Sequence, residues 1–423
     1  MKTVLMLSRF FPPAFDIGGK RAYRFAKYLG QFGWRAVVVT ERVPTERRID
    51  ETPLDLPPEV EVVRTYLPAQ GRFYGNAGTD GTNPAPVAAR TGGPTLADQL
   101  RWPIGSDIRL APRFARMAKG LAEKYKPDAL FASSSPYTAL VFGAVLKKRL
   151  HVPLCLDLRD PWTLNFLQAG KPAWARRLDA RVERRLFEYA DQVTLTCRSA
   201  RDAYRALYPH LPTEKIQSIY NSFDPSFRVP ARLPAPGPVR LVHFGNCYGA
   251  RSIAPILRAL AALKQRDALG PTGVCVQNFG RFSAEDLALA QALGLESLLE
   301  VAPVVDYHTG IERLAAADLQ VLLGYGEHTL FVPAKFYDYA LSGAPILCIA
   351  PESELSEMVR GTGRGLALEA EDVAGIEGAI TAAIRRRTTP QPPAAGDIDQ
   401  YAAPETARQL AALLDRMTQG SPP

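Results

Sequence analysis

Residues that staple or metallate small folds are scarce in this sequence. Five cysteines stand among 423 residues, at positions 155, 197, 247, 275 and 348, and no two form a CxxC pair. That spacing excludes a disulfide framework and a zinc ribbon, and implies reduced, buried thiols in a cytosolic protein. Histidine is equally rare, with five in the chain, and His243, His308 and His328 are isolated, with no HExxH or paired-ligand spacing. No metal site is expected. Long apolar runs are missing as well: "RAVVVT" and "APILCIA" are far shorter than the roughly 18 residues of a membrane helix. The opening "MKTVLMLSRFFPPAF" lacks the extended apolar region and cleavage site of a signal peptide and reads as a first core strand.

The rest is ordinary globular composition, 47% hydrophobic and 22% charged, in a chain long enough for two or three domains. A net charge of +8 favours an anionic partner. No helix-turn-helix, RNP or zinc-finger frame accompanies the basic residues, and aromatics do not interleave with them, so nucleic acid fits poorly. Sugar nucleotides and an anionic membrane surface fit better.

Apolar strands alternate with amphipathic helices along the whole chain, which predicts doubly wound α/β domains with parallel sheets. "TVLMLS", "RAVVVT", "EVEVVRT", "PDALFAS", "PLCLDL", "QVTLTC" and "IQSIY" read as strands of the first half, with helices over 21–32, 112–125, 137–150 and 173–189. Proline and polar residues crowd "DPSFRVPARLPAPGPVR", a linker. The pattern then restarts with "VRLVHFG", "GVCVQNFG", "DLQVLLG", "APILCIA" and "GLALE". The expected organisation is a first domain over 1–225 with a flexible insertion at 68–105, a second over 238–395, and a terminal segment over 396–423 carrying the helix "ETARQLAALLDRM".

Four segments carry candidate chemistry. "SRFFPPAFDIGGKRAYRFAKYL" leads a strand end through Gly18 and Gly19 into a helix, where a close backbone approach and free N–H groups suit a phosphate, although a simple tight entry suits the same residues. "LVHFGNCYGARSIAPILRAL" repeats that plan with Gly245 and Arg251, either a diphosphate site or a capped helix with a surface arginine. In "LFVPAKFYDYALSGAPILCIA", Lys335 and Asp338 share a helix face and read either as phosphate and ribose contacts or as an intrahelical salt bridge. "LCLDLRDPWTLN" crowds Asp157, Arg159, Asp160 and Trp162 at a strand end, where open α/β sheets bind ligands; a structural ion pair would account for part of it. The helix "WARRLDARVERRLFEYA" sets Arg176, Arg177, Arg181, Arg184 and Arg185 against an apolar stripe of Trp174, Leu178, Val182 and Leu186, which reads as a solvated helix packed on the core or as one lying on anionic lipid. "DID" at 397–399 has the DxD form of a metal site but sits in a proline-rich connector, away from any strand end.

Taken in order, "FPPAFDIGG", "KPDALFASSSPY", "DLRDPW", "ADQVTLTCRSA", "IYNSFD", "HFGNCYGAR", "AADLQVLL" and "PAKFYDYALSGAPIL" resemble the retaining glycosyltransferases of family 4, in a branch associated with bacterial surface polysaccharide. The resemblance implies the GT-B fold: two Rossmann-like domains facing across a cleft, with the last helix returning to the first domain. It implies a nucleotide-sugar donor, UDP- or GDP-linked, on the C-terminal domain, and a saccharide or lipid-linked saccharide acceptor on the N-terminal domain. No metal or other cofactor is implied; the scattered thiols point to the cytoplasm, and the arginine-rich helix and positive charge to the inner face of the plasma membrane.

Carried across by residue, the resemblance gives donor contacts to Gly19, Arg251 and Asp338, and Gly18, Gly245, Asn246 and Lys335 complete the expected donor site, with Lys335 standing in for a missing arginine. It gives acceptor contacts to Phe11, Tyr137, Arg159, Asp160 and Trp162, with Trp162 stacking on a sugar ring. Catalysis would fall to Arg159, Asp160, Arg251 and Lys335. Three positions depart from the family pattern: Leu330 replaces the first acid of E-x7-E, with Glu327 out of register, Asn246 replaces an arginine, and Arg159 replaces a histidine. A nucleotide-sugar epimerase on the same fold, or a binding protein with a degenerate site, are the alternatives.

Overall fold

The computed structural model describes residues 1–13, 17–41, 55–65, 117, 120–134, 136–229, 237–388 and 396–419. The insertion read at 68–105, residues 230–236 of the linker, and the start of the helix read at 112–125 lie outside the described residues. The chain forms two compact units, Met1–Tyr220 with Ala403–Pro423, and Asn221–Ala402.

The first unit is a seven-stranded sheet in the order β3-β2-β1-β4-β5-β6-β7. Its strands are β1 (Lys2–Ser8), β2 (Trp34–Glu41), β3 (Glu61–Thr65), β4 (Ala129–Ser134), β5 (Leu154–Leu158), β6 (Gln192–Leu195) and β7 (Ile216–Ser218). Every pairing is parallel. Central strands buried on both faces explain the unbroken apolar runs, since β1, β4 and β5 show no alternation of polar residues. The helices are α1 (Ile17–Tyr28), α2 (Thr138–Leu150), α3 (Ala173–Tyr189) and α4 (Arg198–Leu207). The first helix starts four residues before the expected 21, at the glycine pair, and its expected last turn is 3₁₀, Leu29–Phe32.

The second unit is a six-stranded parallel sheet in the order β10-β9-β8-β11-β12-β13. Its strands are β8 (Val239–Phe244), β9 (Val274–Phe279), β10 (Leu299–Val301), β11 (Leu319–Leu323), β12 (Ile346–Ile349) and β13 (Gly365–Leu368). The edge strand β10 is absent from the sequence reading because it has three residues, two of them exposed, and no apolar run. The helices are α5 (Ala254–Gln265), α6 (Ala284–Ala292), α7 (Tyr307–Ala315), α8 (Lys335–Ser342), α9 (Glu354–Gly361) and α10 (Val373–Thr388).

The last helix, α11 (Ala403–Gln419), belongs to the first unit. Its Leu410, Leu413, Leu414 and Met417 join Val4, Met6, Phe25 and Trp34 in one core, and Lys2 Nζ lies 2.8 Å from Asp415 Oδ1. Chain order places a switch point in each sheet: β4 returns beside β1, and β11 returns beside β8. Carboxyl ends of strands at a switch point leave a crevice where α/β folds take ligands. The segments after β1, β4, β8 and β11 are therefore where function belongs.

Candidate functional site

In the first unit, β5 delivers "DLRD" to its carboxyl end, and the residues divide sharply. Asp157 is fully buried and is held by Arg21 of α1 at 2.8 Å, Ser133 Oγ at 2.7 Å and Thr194 Oγ1 at 2.8 Å. Arg21 also donates to the carbonyl of Tyr220, 2.7 Å away. This is a structural ion pair tying α1 to β5. A buried pair with every lone pair engaged fixes geometry and leaves no capacity for a ligand.

Arg159 and Asp160 are different. Both are half-buried. The Arg159 Nε donates to the Ser134 carbonyl at the end of β4, while its two terminal nitrogens have no partner among the described residues. Its guanidinium lies so close to Gly18 that a Cβ there would overlap it. Glycine is what lets this cation reach the start of α1, and so β4, β5 and the glycine pair meet at Arg159. Gly19 packs on the backbone of Phe11, with which a Cβ would make contact at 3.0 Å. The Asp160 carboxyl also has no partner among the described residues, and burial raises its pKa while Arg159 opposes that rise.

The expectation that Phe11 and Trp162 face an acceptor does not hold in this structure. Phe11 is 1% exposed and packs edge-on to Tyr23, and Trp162 is wholly buried. Instead of a sugar, Trp162 stacks on Tyr137, with centroids 4.8 Å apart and planes within 3°. Tyr137 stays half-buried and donates to the Pro161 carbonyl at 2.7 Å. Beneath this loop sits a carboxylate that sequence reasoning passed over as part of a charge run. Glu183 of α3 is fully buried and accepts from Thr163 N and Oγ1, Tyr204 Oη and Tyr208 Oη at 2.6–3.0 Å. Tyr204 Oη in turn accepts from Trp162 N at 2.7 Å. Desolvation holds the Glu183 carboxyl above its usual range in spite of those donors.

In the second unit, β8 ends at Gly245, whose φ of +120° is a conformation that side-chain-bearing residues rarely adopt. A Cβ at this position would overlap Lys335 Nζ. That ammonium has no hydrogen bond or ion pair among the described residues, and the salt bridge to Asp338 is not formed. Desolvation, with Arg251 adding to it, lowers the pKa of Lys335 to about 7. Arg251 is 6% exposed, with its guanidinium between the rings of Tyr248 and Tyr325, 5.4 and 5.2 Å from their centroids. Its Nε is buried without a partner. Two cations are thus held at the glycine end of β8 with their charge unspent.

The surroundings complete the site. Asn246 is half-buried, its Oδ1 accepting from Arg281 N at 3.1 Å. Below Gly245, His243 Nδ1 lies 2.8 Å from the Val321 carbonyl, and burial together with Lys335 and Arg251 keeps the ring neutral. Asp338 accepts from Tyr307 Oη of α7 at 2.6 Å, a partner that no spacing rule marks in the sequence. Leu330 is half-buried and Glu327 exposed. "DID" is a turn, in which Asp397 accepts from the Asp399 backbone at 3.0 Å. Among the described residues no three His, Cys, Asp or Glu side chains group around a common point. A buried guanidinium and a half-buried ammonium, a backbone passage without side chains and a nearby carboxylate can hold a diphosphate and hydroxyls.

Residues 18–222 match the family model of the glycosyl transferase 4-like domain. No curated protein shows significant sequence similarity to the chain. Among solved structures, sucrose-phosphate synthase from Thermosynechococcus elongatus superposes with a TM-score of 0.57 at 15% identity, over 99% of this chain and 97% of that one. The lipopolysaccharide outer core galactosyltransferase WaaB gives 0.56 at 11%, over 98% and 100%. A UDP-GlcNAc 2-epimerase from Methanocaldococcus jannaschii gives 0.51 at 10%, over 98% and 100%. Such identities speak to the fold: the chain has the two-domain GT-B architecture, and its residues 18–222 carry the likeness to a glycosyl transferase 4-like domain.

Proposed function

We propose that this protein transfers a sugar from a nucleoside-diphosphate donor to a hydroxyl of a saccharide or lipid-linked saccharide. The observation that carries the reading is the pair of unspent cations, Lys335 and Arg251, at the glycine end of β8. The family match over 18–222 supports the reaction class. In this reading Lys335 and Arg251 hold the diphosphate and neutralise it as it leaves, a task that other transferases give to a metal ion. Asp338, oriented by Tyr307, accepts from the ribose hydroxyls. Arg159 meets an anionic acceptor group, and Asp160 orients the acceptor hydroxyl. With retention of configuration, the acceptor oxygen bonds to the anomeric carbon on the face that the diphosphate leaves, and the hydroxyl proton passes to a departing phosphate oxygen. No resident cofactor takes part, and the setting is bacterial surface polysaccharide assembly with a UDP- or GDP-sugar.

Release of nucleoside diphosphate from a donor panel, with and without saccharide acceptors, tests the reading. Acceptor-dependent release supports it. Inversion at C2 without any acceptor would instead mean an epimerase, and saturable binding with no turnover would mean a binding protein.

A further inference from the structure

The helix α3 buries two acids on its inward face and leaves large apolar side chains exposed on its outward one. The acids are Asp179, at 2% exposure, and Glu183, at 0%, beside Ala175, Leu186 and Phe187. Lys171 Nζ holds Asp179 at 2.6 Å, and four hydrogen bonds hold Glu183. Those bonds fix the rotation of the helix about its axis. The side chains sent outward are then Trp174, Leu178 and Tyr189, at 44, 37 and 43% exposure, together with the exposed Arg177, Arg181 and Arg185. The sequence pattern puts Trp174 and Leu178 on an apolar stripe that reads either as packed on the core or as lying on lipid; the structure exposes both, because the buried acids claim the opposite side.

We propose that this outer face is a docking surface for a bilayer containing anionic phospholipid. Positions 174, 178, 181, 185 and 189 follow one another at spacings of three or four residues, so they form one stripe along the helix. Arg177, Arg181 and Arg185 have no hydrogen bond or ion pair among the described residues. Charge complementarity names the partner's sign, and the arrangement names its kind. The apolar side chains are separated by arginines and form no continuous patch of the sort a protein partner would cover. Arginine stems lie along an apolar surface while their heads reach phosphate, and tryptophan and tyrosine favour the depth between headgroup and acyl chain. A negative leaflet attracts such a cluster over a Debye length. This surface stands apart from the nucleotide chemistry at Lys335 and is tested separately.

The test is cosedimentation of the full chain with vesicles of phosphatidylcholine alone or mixed with phosphatidylglycerol. Wild type is expected to bind the mixed vesicles and not the neutral ones. Arg177→Gln/Arg181→Gln/Arg185→Gln is expected to weaken binding at least about tenfold, and Trp174→Ser/Leu178→Ser to weaken it severalfold. The charge-matched control Arg258→Gln/Arg313→Gln/Arg416→Gln, at exposed arginines elsewhere, should bind as wild type. A blue shift of tryptophan fluorescence on vesicle addition should vanish in Trp174→Phe. No binding to mixed vesicles, equal binding to neutral ones, or equal losses in the control and the α3 triple variant would overturn the proposal.

Discussion

An ammonium pressed against a glycine backbone beside a guanidinium, with nothing to accept its protons, gives up its charge more readily than lysine in water. That is the state of Lys335, with a pKa of about 7. A bound diphosphate would raise that pKa, so binding should take up a proton above neutrality. Affinity for a nucleoside-diphosphate sugar, whose phosphates stay ionised through this range, is therefore expected to be flat below about pH 7 and to fall roughly tenfold per pH unit above it, until the bound-state pKa is passed. Calorimetry in buffers of different ionisation heat reads the uptake directly, and Lys335→Met should abolish both uptake and slope. The glycine side of the contact makes its own prediction. Gly245→Ala adds a Cβ where the lysine nitrogen sits and strains a backbone at φ +120°. Nucleotide affinity should drop about tenfold or more, with little change in far-UV circular dichroism. Both glycine pairings were legible only in part: the sequence shows Gly18 and Gly245 after strands, but not that each faces a cation from a distant segment, Arg159 or Lys335.

At the scale of elements, α3 shows where pattern reading stops. Its ends were read correctly at 173 and 189, because apolar and polar residues alternate with helical period between proline and a strand. Its face is legible only in part: Leu186 is buried and Val182 half-buried, whereas Trp174 and Leu178 are exposed because Asp179 and Glu183 take the inward side, held by Lys171, Thr163, Tyr204 and Tyr208, partners outside the helix. Phe11 and Trp162 went the same way: a large aromatic near a strand end is equally apt for a ligand or a core. Glu183→Ala would strip the acceptor from buried hydroxyls and from Thr163 N. It is expected to cost about 3 kcal/mol in urea unfolding and, through Thr163 and Trp162, to disturb the loop that carries Asp160. In α11, Leu414 is fully buried, so Leu414→Ala should cost about 3 kcal/mol. The sequence shows that segment as an amphipathic helix; its place in the first core comes only from the family resemblance.

For the molecule as a whole, the repetition of strand and helix was the strongest signal, and it gave both parallel sheets apart from β10. Strand order was not in the pattern, yet it is what sets the switch points at β1/β4 and β8/β11 and so gathers the candidate residues. The second unit is continuous in sequence, Asn221–Ala402, with a core of its own. Expressed alone, it should fold and keep the greater part of the nucleotide affinity. The most direct measurement is calorimetric titration of the full chain with UDP, GDP, ADP, dTDP and their common sugar conjugates, on wild type, Arg251→Ala, Lys335→Ala and the surface control Arg258→Ala. Saturable binding of one nucleotide class, weakened at least about tenfold by the first two substitutions and untouched by the third, is the expected result. Absence of binding by every nucleotide, or binding indifferent to Arg251 and Lys335, would contradict the assignment of the glycine end of β8 as the diphosphate site.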